Sequence, residues 1–491
     1  MLMAALADVW LPLYNRAATR WEGPMPDTKI VMSDLHLGAG SYDGRNRLED
    51  FDQDDHFAAL LGRLAEESDA TGQGMELVFA GDAFDLLQVP ALPPDEYMPD
   101  ATHPTSVYLA SSSEASRLKM ALVIAGHPTW FSALSRFISD GQPVRRVTFI
   151  KGNHDVNLHW AGVQDAIRQA LDATAGRRAA CVRFLERRLL RDGVYIEHGN
   201  QYLERVNCFP DFVEPHDPDN PEELYLPAGS RFVCRFFNRL ERQHYWLDGV
   251  KPLTALIWYL FALDFRLAIN ALGALVREAP SLVLGSLPIT WAVTNQVEAL
   301  DDIQANLANP LEMGTLERQT DRRGGFYARV SDALALYGVP RGLAQAAADP
   351  EDYTALPRAC AEEAAQRSRL MDVARAKLHQ EDVRVVIMGH THEACHHDLG
   401  EDCAYLNCGS WTWLRDFAGE DYQAWRRLVR FPETYTSQRR LTYVRVDYGE
   451  DGLPVPSLQT YQTAAEPRGL LNWLQRVTPG RPEPAAEDAG R

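Results

Sequence analysis

An α/β layered fold is predicted by three observations. Five short runs rich in Val, Ile, Phe and Tyr each end in Asp, His, Asn or Gly: TKIVMSDLH, MELVFAGDAFD, VRRVTFIKGNHD, GVYIEHGNQY and VRVVIMGHTH. Amphipathic helical patterns such as HFAALLGRLAEE and WFSALSRFI lie between the first of them. The polar clusters fall at the carboxyl ends of the predicted strands, where open α/β sheets bind ligands. A near-continuous apolar run of four to eight residues that closes on turn formers reads as a buried strand. Its alternation with helices is the signature of a layered domain.

The elements keep a regular rhythm and then break it. Asp34, Asp82, Asn153 and His198 succeed one another at intervals of about 45–70 residues, as strand and helix repeats require. His390 comes about 190 residues after His198, too long an interval for a loop within a compact domain. The spacing therefore predicts an insert over 203–382, mainly helical in pattern, between a first core part over 28–202 and a second over 383–460. AYLNCGSW and LTYVRVDY are two further strand candidates that return the chain to the core. Residues 1–27 form an N-terminal extension, and 461–491, with its TPGRPEPAAEDAGR composition, is expected to be disordered. VPALPPDEYMPDATHPT is expected to be a long surface loop near the second strand end.

Composition narrows the function classes. With 46% hydrophobic and 24% charged residues in 491, global disorder and collagen-like architecture are excluded. A net charge of −19 disfavours nucleic acid as a general partner, because phosphate counterions are displaced by cations. Seven cysteines are odd in number and too few for a disulfide scaffold, and the N-terminus carries Asp8 without an early positive charge or cleavage site. A cytoplasmic protein is the expectation. LTALIWYLFAL, residues 253–263, is about half the ~20 residues a membrane span needs and is followed by Asp264 and Arg266. It reads as a buried or amphipathic helix, the second of which would allow peripheral contact with the inner face of a membrane.

The strand ends supply Asp34 and His36, Asp82 and Asp85, Asn153 with His154 and Asp155, His198, and His390 with His392. Carboxylate, amide oxygen and imidazole together suit manganese, iron or zinc better than calcium. Two divalent ions about 3.5–4 Å apart would use so many ligands, whereas one would leave several buried groups unpaired. In this order DLH, GDAFD, GNHD, HG and GHTH resemble the calcineurin-like metallophosphoesterase superfamily, over about residues 28–202 and 383–450.

That resemblance implies a two-sheet sandwich flanked by helices, with the insert as a helical cap. It makes Asp34, His36 and His392 ligands of one ion, Asn153, His198 and His390 ligands of the other, and Asp82 the bridge. His154 would face the substrate as general acid or phosphoryl donor, with Asp85 holding its other nitrogen, while a metal-bridging hydroxide attacks in line. Leu86 and Leu87 come after Asp85 where the phosphoprotein phosphatase branch has Arg-Gly, which disfavours a phosphoserine substrate. The same positions are similar to UDP-diacylglucosamine pyrophosphatases and, at motif level, to the nuclease subunits of double-strand-break repair. The implied activity is hydrolysis of a phosphomonoester or pyrophosphate bond in an anionic small molecule, lipid-linked or free. A manganese-dependent nuclease or phosphodiesterase and a catalytically weak metal-binding interaction protein are the alternatives.

Within the insert, Arg231, Arg235, Arg239 and Arg242 recur at helical spacing among Phe232, Phe236, Phe237 and Trp246. This is either a solvated helix face over a packed core or a surface for a phosphorylated amphiphile or a membrane head group. Cys395, Cys403 and Cys408 beside His396 and His397 match no zinc spacing and read as core and loop residues. His159, Lys151, Tyr202 and Trp411 adjoin motif residues and are assigned no catalytic role.

Overall fold

The computed structural model describes residues 25–203, 207–251, 357–379, 382–400, 402–417, 422–436 and 439–461. The apolar run 253–263, the N-terminal extension up to residue 24 and the tail from residue 462 lie outside the described residues.

All five motif runs form strands: β1 (Thr28–Met32), β2 (Met75–Ala80), β3 (Arg145–Ile150), β6 (Val194–Glu197) and β8 (Val385–Met388). The two return strands also form, as β10 (Cys403–Asn407) and β12 (Thr442–Tyr448). Sequence reading did not single out β4 (Val182–Leu185), β5 (Arg188–Arg191), β9 (Cys395–Gly400) or β13 (Pro454–Thr460). A first sheet runs β13-β12-β1-β2-β3-β4, with β1 to β4 parallel and β12 antiparallel to β1. The second runs β5-β6-β8-β10-β9, with β6, β8 and β10 parallel and both edge strands antiparallel. A small pair joins β7 (Val250–Lys251) to β11 (Arg415–Asp416).

The period-two alternation of each strand explains the layering. Val31, Val78, Ile150, Val444 and Val446 of the first sheet meet Ile196, Val385, Ile387 and Leu406 of the second in one buried cluster. The opposite face of the first sheet, Ile30, Met32, Leu77, Phe79 and Phe149, is covered by helices Asp54–Thr71 and Pro128–Phe137. Helix Asp54–Thr71 buries Phe57, Leu60, Leu61, Leu64 and Ser68, a stripe at helical spacing, and stops at Gly72, whose φ of 73° an L side chain adopts only with strain. The outer face of the second sheet, Tyr195, Val386, Met388 and Tyr405, packs on Leu370 and Ala374 of helix Pro357–Leu378. The result is an α/β sandwich of two mixed sheets with helices outside.

Helix Pro357–Leu378 falls within the segment expected to be an insert, yet it serves as an outer layer of the core. Of the first part of that segment, 207–227 is irregular and 228–241 is helical, with a π-type turn at Val233–Phe237. Such a turn takes one extra residue and so rotates the helical residues C-terminal to it. Arg242 donates through Nη2 to the Tyr108 hydroxyl at 2.9 Å, and Arg231 donates to the Leu226 carbonyl, so these two guanidinium groups hold structure.

Candidate metal centre

Parallel strands with polar ends gather the motif residues at one edge of both sheets. The backbone there is unusual: φ is 55° at Asp34, 54° at His36, 50° at Asp82, 69° at His390 and 62° at His392. Left-handed backbone at non-glycine residues costs on the order of 1–3 kcal/mol each and persists where the surroundings over-determine it. Glycines make room for the turns. A Cβ at Gly81 would overlap the His198 ring, and one at Gly389 would overlap Ser33 and the Asp34 carboxylate. Ser410 Oγ donates to the Asp34 carbonyl at 2.7 Å, and Asn407 Nδ2 donates to the Gly389 carbonyl at 2.8 Å.

Two groups of donor atoms result. Asp34, His36 and His392 have ligand atoms all within 4.8 Å of one another, and so do Asp82, His198 and His390. In the first, His392 Nε2 lies 3.4 Å from Asp34 Oδ1 and 3.3 Å from His36 Nε2. In the second, His198 Nε2 lies 3.0 Å from Asp82 Oδ2 and 3.2 Å from Asn153 Oδ1. His198 Nδ1 is 2.9 Å from the Ala80 carbonyl, which fixes the ring as metal-binding histidines are usually fixed. The backbone N–H of His390 donates to both Asp34 oxygens, at 3.1 and 2.9 Å, and that of His154 to Asp82 Oδ1 at 2.8 Å. These carboxylates and imidazoles, buried except for the half-buried His390 and His392, could hold metal ions, and the oxygen and nitrogen donor set fits manganese, iron or zinc.

Asp85 stands between two histidines. Its Oδ2 is 2.8 Å from His154 Nδ1 and 3.0 Å from His36 Nδ1, and the two rings meet edge to face at 4.6 Å. The hold on His36 was not expected from the sequence, where only the pairing with His154 was read. Asp155 belongs to neither group of donors. Its carboxylate accepts the N–H groups of Gly152 at 2.6 Å, Ala83 at 2.9 Å and Phe84 at 3.4 Å, tying the turn after β3 to the turn after β2.

Charge is set by these neighbours. Burial alone would raise the Asp34 and Asp82 carboxyls, but His392 and His198 beside them hold both well below the usual range. Burial likewise opposes the charged imidazole of His154 and His198, yet Asp85 and Asp82 lift His154 to about 9 and Asp82 lifts His198 to about 10. His390 is pushed down to about 3 by burial and by His198, and His392 downward by burial. A neutral imidazole is the form that ligates a metal. Asp155 is raised to about 7 by burial and by Asp82.

A second acidic set lies alongside. Asp50, Glu241 and Asp248 have carboxylate oxygens within 4.8 Å of one another, and Glu241 is fully buried. Gln88 Nε2 donates to Glu241 Oε2 at 2.5 Å, while Gln88 Oε1, Glu241 Oε1, Asn238 Oδ1 and Asp248 Oδ1 have no hydrogen-bond partner. Burial first, then their neighbours, push Asp50 and Glu241 far up; burial pushes Asp248 up. Nothing in the sequence joins these three residues, which lie on separate elements.

The remaining candidates have structural partners. Lys151 Nζ bonds Glu186 and the Val213 carbonyl, Tyr202 donates to Glu197 at 2.8 Å, and Trp411 is buried with its indole N–H on the Thr442 carbonyl at 2.8 Å. His396 and His397 are exposed on β9, and no metal-binding group among the described residues includes them or Cys395, Cys403 or Cys408. Among the described residues no helix is long and apolar enough to cross a membrane. Compared with known proteins, the chain matches no family model, no curated protein and no solved structure.

Proposed function

We propose that this chain is a phosphoesterase dependent on two divalent metal ions, acting on a phosphomonoester or pyrophosphate bond of an anionic small molecule. The observation that carries the reading is the pair of donor groups at one sheet edge, Asp34, His36 and His392 beside Asp82, His198 and His390, with His154 set against them by Asp85. Asn153 Oδ1, 3.2 Å from His198 Nε2, completes the second group, and Asp82 is the carboxylate suited to serve both. Two ions held there would lower the pKa of a water molecule and neutralise charge on the phosphoryl oxygens.

The chain's own residues do the rest. Asp85, buried and charged, takes the Nδ1 side of His154 and so leaves Nε2 to meet the substrate. As the P–O bond to the leaving group breaks and one to the water oxygen forms, Nε2–H protonates the leaving oxygen. Asp85 on Nδ1 favours the protonated ring that can give this proton. Lys251, near enough to His392 to depress its pKa further, adds a cation beside the donor groups, which supports an anionic substrate. The net charge of −19 weighs against nucleic acid.

Purified protein loaded with Mn2+ should hydrolyse an aryl phosphate or a pyrophosphate-linked nucleotide-sugar lipid, and single- and double-stranded DNA poorly or not at all. Turnover of DNA alone would replace this reading with the nuclease one. No turnover of any substrate, with metal bound, would favour a binding protein.

A further inference from the structure

A different set of residues, outside the two donor groups, has the arrangement of a single-ion site. His159 ends the short turn Val156–His159 that comes after Asn153 and His154, and Glu214 and His216 lie in the irregular stretch 207–227. His159 Nε2 faces His216 Nε2 at 3.3 Å, and Glu214 Oε2 lies 3.8 Å from the former and 3.7 Å from the latter. These three atoms form a triangle. Around a zinc ion with bonds of about 2.0–2.2 Å, the edges of a tetrahedron measure roughly 3.3–3.6 Å.

The far sides of both rings favour tautomers whose near sides can take a cation. His216 Nδ1 is 2.9 Å from the Pro221 carbonyl, an acceptor, so Nδ1 carries a proton and Nε2 is the nitrogen left to ligate toward His159. His159 Nδ1 is directed at the Glu186 carboxylate, 3.7 Å away, and has no hydrogen-bond partner. A proton on Nδ1 suits that carboxylate and leaves His159 Nε2 bare as well. Two lone pairs and a carboxylate oxygen then converge on one point. The rings stand edge to face at 88°, and Trp160, its own N–H on the Ser111 carbonyl at 2.8 Å, packs against His216 at 5.3 Å. His216, held from behind by the Pro221 carbonyl, has the usual outer shell of a zinc-binding imidazole, and the Glu186 carboxylate stands behind His159.

We infer that His159, Glu214 and His216 bind one zinc-class divalent ion, with water as fourth ligand, and that this ion clasps the 207–227 stretch to the turn after the Asn153 and His154 motif. The Glu214 side chain is 66% exposed, which leaves room for the water and for Glu214 to close onto the ion. This site shares no residue with the two donor groups and does not rest on the phosphoesterase reading.

The full chain, saturated with Zn2+ and dialysed, should lose one equivalent of bound zinc in His216→Ala and again in His159→Ala, measured by elemental analysis. Glu214→Gln should weaken that equivalent at least about tenfold. In Asp34→Ala/Asp82→Ala, which disables the two donor groups, one equivalent should remain and should disappear on adding His216→Ala. Equal zinc content in the parent, His216→Ala and His159→Ala would overturn the inference. So would a folded Asp34→Ala/Asp82→Ala protein that retains no zinc. Because His216 is one-third exposed, its loss leaves the core intact, and an unchanged far-ultraviolet spectrum checks this.

Discussion

Two sets of carboxylates sit side by side in this molecule, one buried throughout and one only at Glu241, and their pKa values are pushed in opposite directions. Imidazoles beside Asp34 and Asp82 hold their carboxyls down, whereas burial and neighbouring carboxylates push Asp50 and Glu241 far up and burial pushes Asp248 up. Burial is almost complete at Asp34, Asp82 and Glu241, so depth does not decide between them. The partner does: an imidazolium stabilises the ionised carboxylate beside it, whereas a neighbouring carboxylate repels it. Asp85 joins the two sets, since it is paired to His36 and His154 yet contributes to raising Asp50 and Glu241.

The comparison can be broken first at its ionised side. Asp82→Ala should abolish turnover and lower metal content, because it removes the carboxylate nearest His198 and the acceptor of the His154 N–H. Elemental analysis and steady-state kinetics read both effects, and normal turnover with full metal content would remove Asp82 from the site. Next in size, His154→Ala should reduce kcat by about 10²–10⁴ with metal content unchanged, the range for loss of a general acid. Asp85→Asn, which keeps the shape, should lower kcat less and move the alkaline limb of the kcat profile to lower pH. The sign is fixed by Asp85 being the main group that raises His154.

Smaller effects separate the two sets through stability, measured by denaturant titration in chelator so that protein groups alone titrate. Asp34, Asp82 and Asp85 have depressed pKa values, so their contribution is present above the ordinary carboxylate value of 3.8 and is lost as pH falls below it. His154 and His198 are raised from 6.5 to about 9 and about 10, so the same ion pairs are fully present below 6.5 and fade as pH rises through 9 to 10. The second set works the other way: its pKa values are raised in the folded state, so stability falls as pH rises from the ordinary carboxylate range. Glu241→Gln should flatten that decline and raise stability at neutral pH on the order of 1 kcal/mol, as replacement of a poorly compensated buried acid can. A loss of stability in Glu241→Gln would show that Glu241 is ionised and compensated.

The ionised side was legible in the sequence because its residues sit in short polar motifs at the ends of apolar strands, a local signal. The strands themselves were equally plain, since Val and Ile runs bury on both faces. What escaped was non-local or polar. β9, with His396, His397 and Asp398 exposed, lacks an apolar pattern, and β13 carries Pro454 and Pro456 on an edge. The contact of Asp85 with His36 crosses from the loop after β2 to the loop after β1, and Asp50, Glu241 and Asp248 meet only when distant elements pack. The role of helix Pro357–Leu378 as a core layer was hidden for the same reason: its partners on β6, β8 and β10 lie outside its own stretch of sequence.

The order of strands in the two sheets has a consequence for how the protein comes off the ribosome. His390 binds Asp34 across 356 residues, and β8 to β10 together with β12 and β13 complete sheets whose first strands are made much earlier. At roughly 5–20 residues per second, synthesis from His198 to His390 takes on the order of 10–40 s. During that interval the nascent chain holds Asp34, Asp82 and His198 without His390 and His392, and with the β1 and β6 edges open. Newly made chains therefore pass through a long stage open to misassembly, and slowing translation or withdrawing chaperones should harm the yield of this protein more than that of a domain folded from local contacts.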